Sequence, residues 1–186
     1  MFTLLLTCFF RTFKIGDPFD TETKVGPMVS AEHLAKVRRY MEIARSTPGA
    51  QITEIEPPKS CSSGNGYYVG LMIAAGLPAD SPVLQEEVFG PLVAIVPFED
   101  EAEALAMANE GSPYGLSATV WTANVDRLHR VAHRLEVGTV WANCWLLRNL
   151  NMPFGGAKAS GTGREGTEDS RRFFTTVKTV CVAVKK

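Results

Sequence analysis

Two adjacent carboxylates, Glu86 and Glu87, open the segment 86–91, which also carries Phe89 and a Gly-Pro turn. The segment lies directly before an apolar run that reads as a buried strand. Carboxylate oxygens accept hydrogen bonds from sugar hydroxyls, and the start of a strand would hold them in place. We interpret this segment as a candidate hydroxyl-binding loop, with an ordinary surface turn as the alternative.

Glycines are concentrated between residues 155 and 166. Gly161, Gly163 and Gly166 have the spacing of a dinucleotide-binding fingerprint, but that fingerprint follows a hydrophobic strand and precedes an acidic residue about 20 positions later. Here the glycines follow Lys158-Ala159-Ser160, and no acid stands at that distance. We therefore favour a tight glycine turn in which backbone passes close to a neighbour.

Cysteine and histidine offer two further candidates for chemistry. Cys144 stands between Trp141 and Trp145 in a predicted strand, which favours a packed thiol over a nucleophile, because a nucleophile needs a base or a positive field. His129 and His133 have the i, i+4 spacing of metal ligands on a helix. Arginines surround both histidines, so we predict a solvated helix face and no metal site.

The periodicity of the chain predicts the elements that position these residues. We expect a strand at 92–98 buried on both faces, a helix at 100–109 and a strand at 116–121. A helix capped by Asn124 and a strand at 139–145 follow. Strands that alternate with helices over short connections indicate an α/β fold with parallel strands.

The chain ends need separate interpretations. Residues 1–10 are an apolar run, shorter than the ~20 residues that span a bilayer. We interpret this run as a helix or strand that packs on the fold, with a signal-peptide core as the alternative. Ser30 is a predicted N-cap of a helix that Pro48-Gly49 ends. Residues 175–184 alternate β-branched residues with others and predict a terminal strand.

The composition limits the partners and the location. The chain has 186 residues, of which 45% are hydrophobic and 21% charged, and 19 basic residues balance 20 acidic ones. We therefore expect no nucleic-acid partner and no membrane span. Four widely spaced cysteines without a CxxC motif predict reduced thiols in a cytoplasmic protein.

Three motifs in this order carry a resemblance to a known family: EEVFGP at 86–91, NEGSPYGL at 109–116 and PFGGAKASGTGRE at 153–165. They resemble the aldehyde dehydrogenase superfamily. The segments 143–150 and 173–175 are most similar to its 2-aminomuconic and 2-hydroxymuconic semialdehyde dehydrogenases.

The resemblance implies the organisation of the chain. It implies a partial α/β, parallel-sheet catalytic domain at 15–158, a glycine-rich return with an oligomerisation-type strand at 159–186, and an apolar segment of uncertain role at 1–14. The resemblance also implies a homo- or hetero-oligomer of aldehyde dehydrogenase subunits.

The resemblance also implies a mechanism, in which a cysteine thiolate attacks the aldehyde and hydride passes to NAD or NADP. Glu87 resembles the residue that binds the nicotinamide ribose, and Phe89 resembles its packing partner. Phe154 resembles an aromatic residue of the substrate tunnel, and Glu165 a glutamate proposed to relay protons. Arg148 resembles an arginine that grips a substrate carboxylate, with a surface arginine as the alternative.

Departures from the family pattern decide the functional expectation. The sequence contains no Gly-Gln-x-Cys segment, which carries the family's nucleophile, and Leu71-Met72 stand where the family usually has Pro-Thr. We expect the carboxyl-terminal portion of a semialdehyde dehydrogenase, inactive alone and with weak or no NAD binding. The alternatives are a non-catalytic protein that pairs with full-length subunits and an independent dinucleotide-binding module at 161–166.

Overall fold

A computed structural model of the protein describes residues 2–61 and 66–184. It contains the helix predicted after Ser30. The chain divides into two units, Met1–Glu99 and Asp100–Lys186. This division does not test the predicted boundaries after residues 14 and 158, which stay predictions.

The first unit combines helices with short strands. In chain order its elements are α1 (Phe2–Phe10), β1 (Lys14–Ile15), β2 (Thr23–Val25), α2 (Ala31–Ser46), β3 (Gln51–Ile55), a 3-10 turn (Lys59–Cys61), β4 (Leu71–Ala75), α3 (Pro82–Gln85) and β5 (Leu92–Ile95). Strand β4 lies between β3, which is antiparallel to it, and β5, which is parallel to it. The apolar N-terminal run is therefore a helix.

The core of this unit forms between α2 and the sheet. The predicted cap is confirmed, because the Ser30 hydroxyl oxygen accepts a hydrogen bond from the amide of His33 at 3.1 Å. One face of α2 is buried, and it packs with Met72 and other apolar residues. The buried residues of this face follow helical spacing: Val37, Tyr40, Met41 and Ala44. This face fixes α2 and leaves its polar residues available to contact the loop before β5.

Strand β5 differs from the prediction in length and in burial. It ends at Ile95, and its four residues are half-buried. In the described part of the chain β5 pairs only with β4, so one edge carries no neighbouring strand. The expectation of burial on both faces is therefore wrong for this structure.

The second unit contains the alternating elements. They are α4 (Glu101–Glu110), β6 (Tyr114–Gly115), β7 (Ser117–Val120), α5 (Val125–Arg134), β8 (Thr139–Ala142), β9 (Ala157–Lys158) and α6 (Thr167–Phe174). Asp100 and Asn124 cap α4 and α5 through their side chains. Strands β7 and β8 are parallel and joined through α5, as the α/β prediction requires, whereas β6 and β9 are antiparallel.

Strand β8 ends three residues before its predicted end. Asn143 adopts a positive φ of 53°, which takes the chain out of the extended conformation. Its side chain accepts a hydrogen bond from the amide of Thr122 at 2.8 Å and donates one to the Thr122 carbonyl at 2.9 Å. Cys144 therefore lies in the loop after β8, and its predicted place within a strand is wrong.

The predicted terminal strand is also not formed. Residues 175–184 are exposed and have no regular secondary structure. A strand is stable only where a neighbour satisfies its N–H and C=O groups, and no described strand pairs with this tail. Alternating β-branched residues alone do not supply that partner. Among the described residues, no helix is long and apolar enough to cross a membrane.

Candidate functional site

Phe154 and Glu165, both predicted site residues, face each other across an isolated antiparallel bridge. The Phe154 amide donates to the Glu165 carbonyl at 2.7 Å, and the Glu165 amide donates to the Phe154 carbonyl at 2.6 Å. Residues that are directly paired in this way project their side chains to the same face. The bridge therefore fixes an aromatic ring beside a carboxylate.

Arg148 lies against this pair. Its guanidinium carbon is 4.0 Å from the centre of the Phe154 ring, within the distance of a cation–π contact. One of its terminal nitrogens donates to the Glu165 carboxylate at 3.4 Å. Three of the five predicted site residues thus meet in one cluster, which we call the arginine cluster: Arg148, Phe154 and Glu165.

The loop that carries Arg148 is held by the strand end before it. Trp141, the buried residue of β8, donates from its indole nitrogen to the Leu147 carbonyl at 2.9 Å. The Trp145 ring packs edge-on against the Trp141 ring, with centroids 5.0 Å apart. The loop leaves the carboxyl end of β8, which is parallel to β7. Arg148 therefore has the usual place of a ligand-binding residue in α/β folds.

In the first unit, α2 holds the predicted hydroxyl-binding loop through a series of contacts. Tyr40 donates its hydroxyl to the Glu86 carboxylate. Lys36 donates to the Glu87 carbonyl at 2.7 Å, and His33 donates from Nε2 to the Phe89 carbonyl at 2.7 Å. The sequence-based interpretation missed these three residues, although their spacing of three and four places them on one helix face.

The hydrogen bond between Tyr40 and Glu86 also affects titration. This bond, together with burial of the phenol, raises the pKa of Tyr40 above its usual value. The hydroxyl therefore stays protonated and continues to donate at neutral pH. Glu86 is used to hold the loop, which leaves Glu87 as the carboxylate available to a ligand.

The loop presents groups that fit one end of a dinucleotide. The Glu87 side chain is exposed and accepts no hydrogen bond from the described residues, so both oxygens are open to hydroxyl donors. Phe89 is 72% exposed and has a positive φ of 59°. A fixed acceptor beside an exposed ring suits a ribose and an attached aromatic ring. The roles that the resemblance implies, ribose binding by Glu87 and packing by Phe89, stay predictions.

The remaining candidates are the glycine-rich turn, the histidines of α5 and the cysteines. Gly161 and Gly166 have positive φ values, and a Cβ on Gly156 would lie 2.5 Å from the Ser160 Cβ, as expected for a tight turn. The described residues hold no group of three His, Cys, Asp or Glu side chains that could bind a metal. All four cysteines are free.

A cleft of about 790 Å³ lies in the first unit beside α2 and β3. None of the predicted site residues lines it. Its Arg45 is paired with Glu54 at 2.6 Å and with Glu42 at 3.0 Å, and these partners raise the pKa of Arg45. The charge of Arg45 is therefore balanced within the protein, whereas Arg38 and Arg39 also line the cleft.

The sequence model of the Aldehyde dehydrogenase family matches residues 2–180, so the chain belongs to this family. The match includes most of the apolar N-terminal segment.

The chain is similar to curated semialdehyde dehydrogenases. It is 46% identical to the 2-aminomuconic semialdehyde dehydrogenase of Bos taurus, over 92% of this chain and 36% of the relative. It is 43% identical to the 2-hydroxymuconic semialdehyde dehydrogenase of Pseudomonas putida, over 92% of this chain and 35% of the relative. The chain thus spans about a third of the length of these relatives.

Solved structures show the same fold. The NAD+ complex of an aldehyde dehydrogenase from Bacillus cereus has a TM-score of 0.86 and 36% identity, and covers 98% of this chain and 36% of its own. Betaine aldehyde dehydrogenase from Staphylococcus aureus, also solved with NAD+, has a TM-score of 0.83 and 34% identity over 93% of this chain and 34% of its own.

Proposed function

We propose that this chain is the carboxyl-terminal portion of an NAD(P)-dependent semialdehyde dehydrogenase and that Arg148 binds the substrate's carboxylate. The observation that carries this proposal is the position of the Arg148 guanidinium on the face of the Phe154 ring. The ring orients the cation without using its N–H donors. A planar guanidinium that uses only one donor, in a single contact of 3.4 Å to Glu165, suits bidentate binding of a carboxylate.

The proposed substrate has a carboxylate at one end and an aldehyde at the other. With the carboxylate on Arg148, the aldehyde end extends away from the arginine cluster towards the reacting groups of the intact enzyme. A nicotinamide cofactor bound in that enzyme would supply the hydride acceptor. From this chain, Glu87 would hold the ribose hydroxyls and Phe89 would pack beside the nicotinamide. The proton relay predicted for Glu165 stays a prediction.

Replacing Arg148 with Gln is expected to weaken carboxylate binding by roughly tenfold, because a charge-assisted bidentate contact is lost. The probe is sorbate, a conjugated dienoate with one carboxylate and a methyl group in place of the aldehyde. Titration followed by the arginine Nε–Hε NMR signals gives the dissociation constant for each variant. Sorbamide, the neutral amide of the same acid, is expected to bind weakly to the unmodified chain and to the variant alike.

Arg171→Gln is the matched control for this prediction. Arg171 lies in the same unit, and the carboxylate that it pairs with, at 2.7 Å, is that of Glu168, which is not a predicted site residue. Its loss is expected to leave sorbate binding unchanged. Equal affinities in the unmodified chain and in Arg148→Gln would contradict the proposed role of Arg148.

The chain alone is proposed to bind NAD weakly or not at all and to oxidise no aldehyde. The support is chemical: the sequence has no Gly-Gln-x-Cys segment, and covalent catalysis needs an activated thiolate. Cys8 is exposed on the apolar helix α1, and Cys144 lies in the loop after β8. Neither thiol has a described hydrogen-bond partner that could serve as its base.

A second role is association with aldehyde dehydrogenase subunits, and the exposed tail favours it. Val177 is 94% exposed, and Val180, Val182 and Val184 are also exposed in a segment without a strand partner. Such a segment can add to the edge of another sheet.

Association through the tail predicts that the chain co-purifies with a full-length subunit. Val180→Pro is expected to weaken that association, because proline has no backbone N–H to donate to a neighbouring strand. If the unmodified chain elutes as a monomer when mixed with a full-length subunit, this role is contradicted.

For the location we propose the cytoplasm. The four free thiols are the state that a reducing compartment maintains.

A further inference from the structure

The contact between Arg148 and Glu165 is looser than the two-nitrogen arginine–carboxylate pairs of this protein. Arg130 binds Glu101 through two nitrogens at 2.7 and 2.8 Å, and Arg171 binds Glu168 at 2.8 and 2.7 Å. Arg148 reaches Glu165 through one nitrogen at 3.4 Å. This single long contact neutralises Arg148 without forming the two-bond arrangement that guanidinium and carboxylate prefer.

The backbone explains why Glu165 binds so loosely. Its amide and carbonyl are both fixed to Phe154 by the bridge, and the same Phe154 ring carries the guanidinium. Glu165 therefore approaches Arg148 from a fixed position, and its side chain is 76% exposed. An exposed pair held by one long bond contributes little stability.

We propose that Glu165 is the resting counter-ion of Arg148 and that the carboxylate of the substrate displaces it. This inference rests on the proposed function of Arg148 and adds a second carboxylate that competes for the same guanidinium. The exchange breaks one hydrogen bond to Glu165 and forms two to the ligand, and no covalent bond changes. The Phe154 ring keeps its contact with the cation throughout, so the guanidinium does not have to be reoriented.

Displacement also provides selectivity. A neutral aldehyde offers no charge to replace that of Glu165, so the pair stays closed against it. A ligand carboxylate can bind with both oxygens, because it is not attached to the bridge. Glu165 thus acts through Arg148 as a positioning residue. It increases the selectivity of the site for a substrate that carries a carboxylate over a neutral aldehyde.

Replacing Glu165 with Gln is expected to tighten sorbate binding by roughly two- to fivefold, since the competing charge is removed while the side-chain shape is kept. Glu168→Gln is the matched control, because Glu168 is also an exposed glutamate that pairs with arginine in this unit. It is expected to leave sorbate binding unchanged. A loss of structure cannot imitate the expected result, since it would weaken binding.

The double variant Arg148→Gln with Glu165→Gln separates the two proposals. We expect it to bind sorbate as weakly as Arg148→Gln alone, because Glu165 acts only through Arg148. Unchanged or weaker binding in Glu165→Gln, together with a clear loss in Arg148→Gln, would overturn displacement and leave the proposed function intact. Binding that does not depend on Arg148 in any variant would contradict both.

Discussion

Replacing Gly138 with Ala is expected to destabilise the second unit by about 3 kcal/mol, the upper end of the usual cost of overpacking. A Cβ at this position would lie 1.7 Å from the Gly155 carbonyl oxygen and 2.7 Å from its carbon. These are backbone atoms, so no side chain can rotate away. Gly155 directly follows Phe154, and the shift that the methyl group demands would displace the arginine cluster.

Tryptophan fluorescence during urea unfolding measures this effect in the second unit alone. All three tryptophans, Trp121, Trp141 and Trp145, lie in that unit. Gly163→Ala is the matched control, because a Cβ there meets no atom within 4 Å. We expect its unfolding free energy to stay within about 0.5 kcal/mol of the original value. Unfolding curves that coincide for the two variants would show that the backbones at Gly138 and Gly155 are not in contact.

The parts of the fold that depend on local signals could be predicted from the sequence. Ser30 and Asn124 are short polar side chains before helical periodicity, and each caps its helix as expected. The parallel pair β7 and β8 followed from two apolar runs separated by an amphipathic helix. The caps hold because neighbouring residues alone determine them, and the β7–β8 pairing holds because a short crossover through α5 brings the two strands together.

Elements that depend on a distant partner were predicted less well. The tail 175–184 has the composition of a strand, but no described strand offers hydrogen bonds to it. Strand β5 has the apolar run of a buried strand, yet only one described neighbour pairs with it. Asn143 ended β8 early through a side-chain pairing with Thr122, a contact across 21 residues that periodicity does not show.

The candidate sites also combine features that the sequence predicts with contacts between distant residues that it does not. The resemblance named Arg148, Phe154 and Glu165 one by one, and the structure brings them together through a bridge that no local pattern predicts. For the loop at 86–91, no local pattern indicated which residues support it. Tyr40, Lys36 and His33 contact it from α2, and their positions become meaningful only once the helix is packed above the loop.

The second large effect that we expect is a complete absence of turnover by this chain alone. The proposed carboxylate grip and one edge of the proposed cofactor site lie in this polypeptide, whereas its sequence has no Gly-Gln-x-Cys segment to supply the reacting thiolate. Without a covalent intermediate, the bound aldehyde cannot pass hydride to NAD by the family's route. Binding groups alone cannot replace an activated nucleophile.

The most direct test incubates the purified chain with NAD+ and 2-hydroxymuconic semialdehyde and records NADH absorbance, followed by intact-mass analysis of the protein. A preparation that binds sorbate through Arg148 is used, so that its fold is established, and a full-length 2-hydroxymuconic semialdehyde dehydrogenase is the positive control. We predict no NADH and no acyl adduct from this chain. NADH formation together with an adduct on Cys8 or Cys144 would contradict the account.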